Sequence, residues 1–255
     1  MEKFIEILKK WNPWEKSLDY GIQRKKYINK IIPFIKRKEI IVLKGIRRCG
    51  KSTIIKQIIR ELINNGIDKK QILYLNLEDY GFANHLNNNL FELVLEEYKL
   101  YSKNKQTIYF FIDEIQKIPS WEQWIRTKYD LEENIKFIVT GSSAHLLSKE
   151  LSTLLTGRNI SFTIFPLSFK EFCKFKKSDN LEEYLEFGGF PEVVLEESTE
   201  KKIVLLQQYL EDILYKDIID RYKIRDTKQL LSLARYLISS SSSKVSINKL
   251  SKVLG

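Results

Sequence analysis

The fold is decided by the stretch Glu39-Ile-Ile-Val-Leu-Lys-Gly-Ile-Arg-Arg-Cys-Gly-Lys-Ser-Thr53. Its first part, Ile40 to Lys44, is apolar enough to predict a buried strand. Apolar residues at helical spacing follow it, namely Ile54, Ile55, Ile58, Ile59, Leu62 and Ile63. Between the two lies Gly45-x-x-x-x-Gly50-Lys51-Ser52, and strand, glycine-bounded loop and helix are the context that a phosphate-binding loop requires.

Each residue type in this loop has a chemical reason. The two glycines let the backbone curl, so that successive N–H groups and the positive end of the helix point at phosphate oxygens. Lys51 places a charge on the β- and γ-phosphates, and Ser52 offers a hydroxyl to Mg²⁺. The stretch therefore predicts a nucleoside triphosphate site formed by Gly45, Ile46, Arg47, Arg48, Cys49, Gly50, Lys51, Ser52 and Thr53.

Two carboxylates end a second apolar run, Ile108-Tyr-Phe-Phe-Ile-Asp-Glu114. We predict that Asp113 holds Mg²⁺ opposite Ser52 and that Glu114 polarises the attacking water. In isolation, an Asp-Glu pair is more typical of an acidic turn at the surface. The buried strand before the pair and the phosphate loop upstream favour catalysis.

A third polar group, Thr140-Gly-Ser-Ser143, ends the predicted strand Ile135 to Val139. A hydroxyl at this position could sense the γ-phosphate or position the water, and Ser142 is the candidate. The alternative is an ordinary strand-to-helix turn capped by serine. Both interpretations stay open at this stage.

The formal charge of +10 favours polyanionic partners, and it is unevenly spread. Arg24 to Lys38 contains seven Lys or Arg and no acid, and Tyr222 to Gly255 contains seven against one acid, Asp226. Double-stranded DNA is the partner class that this asymmetry suggests. A run of like charges is also typical of a solvated face, so charge alone does not decide between the two.

Composition excludes several protein classes. With 43% hydrophobic and 30% charged residues, the chain is typical of a soluble globular protein. No apolar run is long enough to span a bilayer, and the charged N-terminus lacks a signal-peptide core, so we predict a cytoplasmic protein without membrane partners. Cys49 and Cys173 are too few for a disulfide framework or a cysteine-ligated zinc site. Cys49, inside the loop, is either a variable position or a thiol open to oxidation.

Strands and helices alternate up to Pro166, which predicts an α/β fold with a parallel sheet and helices on both faces. Beyond Pro166 the pattern is helical, and the serine run Ser239 to Ser243 indicates a linker. Four segments follow from this reading. They are a helical lead-in (1–38), a phosphate-loop core (39–166), a helical lid (167–240) and a C-terminal segment (241–255) that resembles the start of a winged helix.

Together these motifs resemble one group of AAA+-superfamily ATPases of bacteria and archaea. The resemblance rests on the loop Gly-x-Arg-Arg-x-Gly-Lys-Ser-Thr, on Asp113-Glu-Ile-Gln-Lys-Ile-Pro-x-Trp121, and on Thr140-Gly-Ser-Ser. It extends to Leu155-Thr-Gly-Arg158 and Pro166-Leu-Ser-Phe-x-Glu-Phe172. This group is similar to signal-transduction (STAND) ATPases and, more distantly, to origin-recognition initiators. The resemblance implies a sheet of order 5-1-4-3-2, a helical lid and a C-terminal winged helix.

The resemblance also assigns roles outside the loop. It implies that Arg24 lies near the nucleotide base, although simple surface charge is an alternative. It implies that Pro191, in Gly189-Phe-Pro191, brings the lid to the adenine, although a helix-breaking turn would equally explain this segment. Arg158 becomes a candidate arginine finger or γ-phosphate reporter, with a structural ion pair as the alternative.

The expected activity is Mg²⁺-dependent binding and hydrolysis of ATP, with ADP as the product, used as a conformational switch. One hypothesis couples the switch to DNA through the basic C-terminal segment. A second makes the chain a signalling scaffold whose ATP state controls a homo-oligomer or another protein partner, without nucleic acid. A small-molecule kinase is a weaker alternative, because the sequence shows no convincing acceptor site.

Overall fold

The structure, a computed structural model, describes residues 4–131, 134–142 and 155–241, together with 243–244, 246–247 and 250. Its strands are β1 (Ile40–Gly45), β2 (Ile72–Asn76), β3 (Ile108–Asp113), β4 (Ile135–Ser142) and β5 (Asn159–Thr163). They form one five-stranded parallel sheet in the order β2-β3-β4-β1-β5. The predicted α/β fold and the predicted order 5-1-4-3-2 are confirmed.

The helices divide into two groups along the chain. Before the last strand lie α1 (Phe4–Trp11), α2 (Lys25–Ile31), α3 (Lys51–Asn64), α4 (Leu90–Ser102) and α5 (Trp121–Leu131). After it come α6 (Phe169–Lys176), α7 (Leu181–Phe187), α8 (Pro191–Leu195), α9 (Thr199–Asp212), α10 (Asp220–Tyr222) and α11 (Thr227–Ser239). The chain separates into two compact units, Met1–Lys202 and Ile203–Gly255. The predicted segment boundaries at residues 38, 166 and 240 stay predictions.

The central strands are buried along almost their whole length because both faces of the sheet are covered. In β1, Ile40 and Val42 belong to a core with residues of α1, α4 and α5, whereas Ile41 and Leu43 belong to a core with residues of α2 and α3. The period-two alternation of a strand thus fills two separate cores. This arrangement fixes the carboxyl ends of the strands along one edge of the sheet.

The lead-in segment protects the edge strand β2. The side chain of Asn12 accepts a hydrogen bond from the N–H of Tyr74 at 2.7 Å and donates to the carbonyl oxygen of the same residue at 2.8 Å. The indole of Trp14 donates to the carbonyl oxygen of Ile72 at 2.7 Å. These contacts explain the Trp-Asn-Pro-Trp motif, because an edge strand otherwise exposes unpaired backbone groups.

Some element boundaries differ from the sequence expectations. Strand β4 continues past Val139 to Ser142, because its polar end still pairs with β1. The apolar spacing from Leu86 to Tyr101 predicts a helix, whereas α4 begins at Leu90, after a 3-10 turn. The pattern also predicts a helix from Thr199 to Tyr222, and the structure has a π-helix, Ile213–Ile219, within it, which apolar periodicity does not signal.

The spacing of Ile247, Leu250 and Val253 predicts a short helix from Ser246 to Leu254, and most of that segment lies outside the described residues. Within the described part of the chain, none of the helices combines the length and the apolar composition needed to cross a bilayer.

Candidate functional site

The phosphate loop lies at the carboxyl end of β1 and leads into α3, which begins at Lys51. A Cβ atom at Gly45 would lie 2.2 Å from the carbonyl oxygen of Ile164, so only glycine fits this close approach. Gly50 has φ of +95° and Arg48 has φ of +63°, both in the left-handed region. The loop therefore has the tight curl that its glycine spacing suggests.

Lys51 joins this loop to the end of β3. Its side chain is only 4% exposed, and Nζ lies 3.5 Å from Oε1 of Glu114. The ammonium also donates to the carbonyl oxygens of Gly45 at 3.1 Å and Ile46 at 3.2 Å. A buried cation is thus held at the loop, where a phosphate group would need it.

Asp113 is buried at the carboxyl end of β3, and three hydroxyl groups surround it. The Tyr74 hydroxyl donates to Oδ2 at 2.9 Å, the Thr140 hydroxyl donates to Oδ1, and Ser52 provides a further hydrogen bond. Burial raises the pKa of Asp113, and the hydrogen bonds from Thr140, Ser52 and Tyr74 partly oppose that rise. The predicted pair of Ser52 and Asp113 therefore meets in space.

These oxygen donors fit a small hard cation. Mg²⁺ prefers oxygen ligands and is commonly bound through one or two protein groups, with water and phosphate oxygens completing the shell. Among the described residues, no group of three His, Cys, Asp or Glu side chains forms a protein-only metal cage. The Ser52 hydroxyl and the Asp113 carboxylate thus suit a cation that is shared with a phosphate ligand.

Glu114 follows Asp113 in an unusual backbone conformation, with φ of +57°. Its N–H donates to Oγ1 of Thr140 at 3.0 Å, and its Oε2 accepts a hydrogen bond from the side chain of Gln116. Thr140 thus contacts both carboxylate residues. Left-handed backbone at a residue other than glycine is costly and occurs often at active sites, where surrounding contacts hold it in place.

Ser142 lies opposite Gly45 in the register between β4 and β1, beside the start of the loop. Its hydroxyl is buried and has no hydrogen-bond partner among the residues that the structure describes. Buried hydroxyls normally have hydrogen-bond partners, so this hydroxyl can still donate or accept a hydrogen bond beside the loop. Ser143, the last residue of the motif, lies outside the described residues.

Arg24 is buried, 3% exposed, and its guanidinium is surrounded by protein acceptors. It donates to the carbonyl oxygens of Cys49 and Phe165, both at 3.0 Å, and forms an ion pair with Glu171 at 2.8 Å. Burial by itself would raise the pKa of Glu171, but hydrogen bonds from Arg24 and Ser168 outweigh it and lower that pKa. Surface charge, the alternative considered for Arg24, is therefore wrong, and a contact with the base stays a prediction.

The start of α8 approaches the loop. At Gly50, a Cβ atom would lie 3.7 Å from Cγ of Pro191 and 3.9 Å from Nη1 of Arg24. Nη1 of Arg48 lies 3.8 Å from Oε2 of Glu192, the residue after Pro191. The loop, the lead-in and this part of the predicted lid therefore converge around Gly50.

The remaining loop residues differ in exposure. Ile46 is exposed, Arg47 is partly buried, and Thr53 lies beside Gly21 of the lead-in. Cys49 is fully buried, and burial raises the pKa of its thiol although the charges of Lys51 and Arg24 oppose the rise. Because a thiol must ionise to react readily, this environment does not favour Cys49 as an oxidation switch.

Arg158, a predicted site residue, does not lie near the phosphate loop. It precedes β5 at the amino end of the sheet, where Asn159 pairs with Ile40, so five strand residues separate it from the loop at Gly45. At about 3.3 Å per residue, the two lie on the order of 15 to 20 Å apart. Nε of Arg158 instead lies 3.2 Å from Oδ1 of Asp130. A role on the nucleotide of its own chain is not favoured by this position.

The sequence did not reveal the roles of three polar residues of the site, and the reason differs for each of them. Tyr74 lies in an apolar run that predicts only a strand. Thr140 was noticed as part of a motif, but its contacts with Asp113 and Glu114 depend on β3 and β4 being neighbours. Glu171 has a local signal, Ser168-x-x-Glu171, that predicts a capping box and conceals its pairing with Arg24.

Comparison with known families and proteins agrees with this geometry. Residues 37–173 match the family described as AAA domain, and residues 178–255 match the family described as Domain of unknown function (DUF8612). An uncharacterized protein of Methanocaldococcus jannaschii, MJ1544, is 36% identical over 240 residues, which are 88% of this chain and 51% of that protein. An uncharacterized protein of Haemophilus influenzae is 35% identical over 241 residues, which are 91% of this chain and 59% of that protein. The chain thus spans between half and three fifths of the length of these relatives.

Among solved structures, the Walker-type ATPase paby2304 of Pyrococcus abyssi is similar in fold, with a TM-score of 0.56. The alignment covers 92% of this chain and 88% of that chain at 17% sequence identity. At this identity the similarity concerns the fold alone.

Proposed function

The chain belongs to the AAA domain family, and on that premise we propose that it binds Mg²⁺ and ATP and hydrolyses ATP to ADP and phosphate as a conformational switch. One observation carries the proposal. The loop residues Lys51 and Ser52 meet Glu114 and Asp113 at the same edge of the sheet. A positioned cation, a pair of magnesium ligands and a general base are the parts that phosphoryl transfer to water requires.

Each of these residues has a distinct role in the proposal. Lys51 binds the β- and γ-phosphates, and Ser52 and Asp113 hold Mg²⁺, which neutralises charge on the phosphate oxygens when bound. Glu114 takes a proton from the water whose oxygen attacks the γ-phosphorus, while the bond to the β-phosphate oxygen breaks. Ser142 senses the γ-phosphate, and its unpartnered hydroxyl beside Gly45 supports that role.

Arg24 and Pro191 define the side of the loop where the base would bind. Both approach within about 4 Å of a Cβ position at Gly50, which supports a base site between the lead-in and the lid. Arg24 contributes by holding the loop carbonyl of Cys49 rather than by a free guanidinium. The ion pair between Arg48 and Glu192 links the loop to the lid and is suited to transmit the nucleotide state.

The ATPase test is direct. Phosphate release from ATP is measured with the purified chain, in the presence of Mg²⁺ and after chelation by EDTA. We expect turnover with Mg²⁺ and none after chelation. Absence of both ATP binding and turnover in the folded chain would refute the proposal.

We further propose that the switch is coupled to double-stranded DNA and that the C-terminal segment begins a winged helix, as in STAND-like relatives of this group. A basic cavity of about 420 Å³ between α2 and α6 supports a polyanionic partner. Four lysines line it, Lys25, Lys26, Lys170 and Lys174. Its acidic residue, Glu171, is already paired with Arg24. The alternative is a signalling scaffold in which ATP controls a homo-oligomer or a protein partner.

A salt series separates these alternatives. The logarithm of the affinity for duplex DNA falls by about 0.9 per phosphate contact for each tenfold rise in salt concentration. Replacing Lys244, Lys249 and Lys252 by Ala should flatten this slope by up to about three units if these lysines bind phosphate. Replacing Lys25, Lys26 and Lys170 by Ala tests the cavity in the same way. Fluorescence anisotropy of a labelled duplex, measured across a salt series, gives the slope for each variant. Unchanged slopes, an ATPase rate indifferent to DNA and ATP-dependent oligomers would favour the scaffold.

A further inference from the structure

Gln116, two residues after Glu114, holds the side chain of the proposed general base. It lies in the 3-10 turn Ile115–Lys117 that directly follows this residue. Nε2 of Gln116 donates a hydrogen bond to Oε2 of Glu114. The orientation of the amide follows from chemistry, because an ionised carboxylate only accepts hydrogen bonds and must face the NH₂ group.

The two oxygens of the Glu114 carboxylate have different partners. Oε1 faces the ammonium of Lys51 at 3.5 Å, whereas Oε2 faces Gln116. The backbone N–H of Glu114 is held separately by Oγ1 of Thr140 at 3.0 Å. The side chain is only 11% exposed, so these neighbours, rather than bulk water, determine its direction.

The two partners respond differently to a nucleotide. The Lys51 ammonium is the group that phosphates attract, so its contact with Oε1 competes with phosphate binding. Gln116 is neutral and belongs to the same turn as Glu114, so its contact does not compete. Of the two described partners of the carboxylate, Gln116 is therefore the one that orients it both with and without phosphates at the loop.

We propose that Gln116 is a positioning residue that keeps the Glu114 carboxylate aimed at the attacking water after Lys51 has turned to the phosphates. This inference rests on the proposed ATP hydrolysis. The Oε1 atom of Gln116 supports it, because this buried acceptor has no hydrogen-bond donor in the part of the chain that the structure describes. The amide oxygen of Gln116 is thus a second hydrogen-bond acceptor beside the Glu114 carboxylate, and it is suited to accept a hydrogen bond from the attacking water.

The test compares Gln116→Met with the wild-type chain in steady-state ATP hydrolysis. Methionine keeps the length and apolar volume but cannot donate to Oε2. We expect kcat to fall about 10- to 100-fold, part of what a general base contributes, while KM and the affinity for a fluorescent ATP analogue stay within about twofold. Gln123→Met, an exposed position on α5, is the matched control and should retain the wild-type rate.

A double-mutant cycle shows whether Gln116 acts through Glu114. In a Glu114→Gln background, Gln116→Met should cause no further loss, because the carboxylate that it positions is already gone. If Gln116→Met does not fold, Gln116→Leu provides the same test, since leucine has no group that can donate a hydrogen bond to Oε2. A wild-type kcat in either folded variant, or full additivity in the cycle, would overturn the inference. Wild-type turnover by Glu114→Gln would instead count against the proposed function.

Discussion

Arg24 and Glu171 form a buried ion pair across 147 residues of sequence, with Nε 2.8 Å from Oε1 and Nη2 3.2 Å from Oε2. Nη1 and Nη2 of the same guanidinium also reach the carbonyl oxygens of Cys49 and Phe165. One side chain therefore joins the start of α2, the phosphate loop, the segment after β5 and α6. Removing it should affect stability and site geometry together.

Arg24→Met is expected to destabilise the chain by about 3 to 5 kcal/mol, because it leaves a buried carboxylate without its partner. The free energy of unfolding in urea, followed by tryptophan fluorescence, measures this loss. Arg37→Met is the matched control. It breaks an exposed pair with Glu39 that solvent screens, so the free energy of unfolding should stay close to that of the wild type. Equal losses in the two variants would contradict the structural role of Arg24.

The stability contributed by Glu171 should depend on pH. Hydrogen bonds from Arg24 and Ser168 outweigh the effect of burial and lower its folded-state pKa below the ordinary value of 4.5. The contribution is therefore fully present above about pH 4.5 and is lost as the pH falls through the folded-state pKa. We expect the stability difference between wild type and Glu171→Gln to shrink in that acidic window. The exposed Glu182→Gln should show no such change, and a pH-independent difference for Glu171→Gln would refute the assignment.

Lys51→Ala should abolish measurable ATP binding, because the phosphates lose the buried ammonium that lies at the loop carbonyls of Gly45 and Ile46. Loss of a charge-assisted contact of this kind costs about 2 to 3 kcal/mol. Titration with a fluorescent ATP analogue measures the affinity. Lys56→Ala, farther along α3, should bind as the wild type does. Unchanged affinity in Lys51→Ala would remove the loop from the proposed site.

Glu114→Gln should separate binding from turnover. Ser52 and Asp113 remain in place, so Mg-ATP should still bind with an affinity close to that of the wild type. Turnover should fall by about 10² to 10⁴, the usual contribution of a general base. Single-turnover phosphate release, measured beside the binding titration, checks both expectations. Hydrolysis at the wild-type rate would mean that Glu114 is not the base.

Arg158 lies too far from its own loop to contact the γ-phosphate, so any finger role requires a neighbouring chain. In that case, specific ATPase activity should rise with protein concentration. Mixing Arg158→Ala with Lys51→Ala should then restore part of the activity, because some mixed interfaces pair an intact loop with an intact arginine. Activity strictly proportional to enzyme, without rescue on mixing, would leave Arg158 with its structural ion pair to Asp130.

The sequence alone determined the parts of this protein that depend on neighbouring residues. Strand β1, the glycine-bounded loop and α3 follow one another, so their apolar pattern and glycine spacing were enough to predict them. The alternation of strands and helices up to Pro166 predicted a parallel sheet with helices on both faces. The carboxylates Asp113 and Glu114 were placed correctly at a strand end for the same reason.

Only the tertiary structure decided which distant side chains complete the site. Thr140 reaches the carboxylate of Asp113 and the backbone N–H of Glu114 because β4 lies beside β3, and Arg24 reaches Glu171 because the start of α2 lies against α6. Arg158 is separated from the loop because β5 runs parallel to β1 and begins at the far end of the sheet. Such contacts depend on strand order and direction in space. Residue type and spacing constrain these contacts only indirectly, whereas they determine the local elements directly.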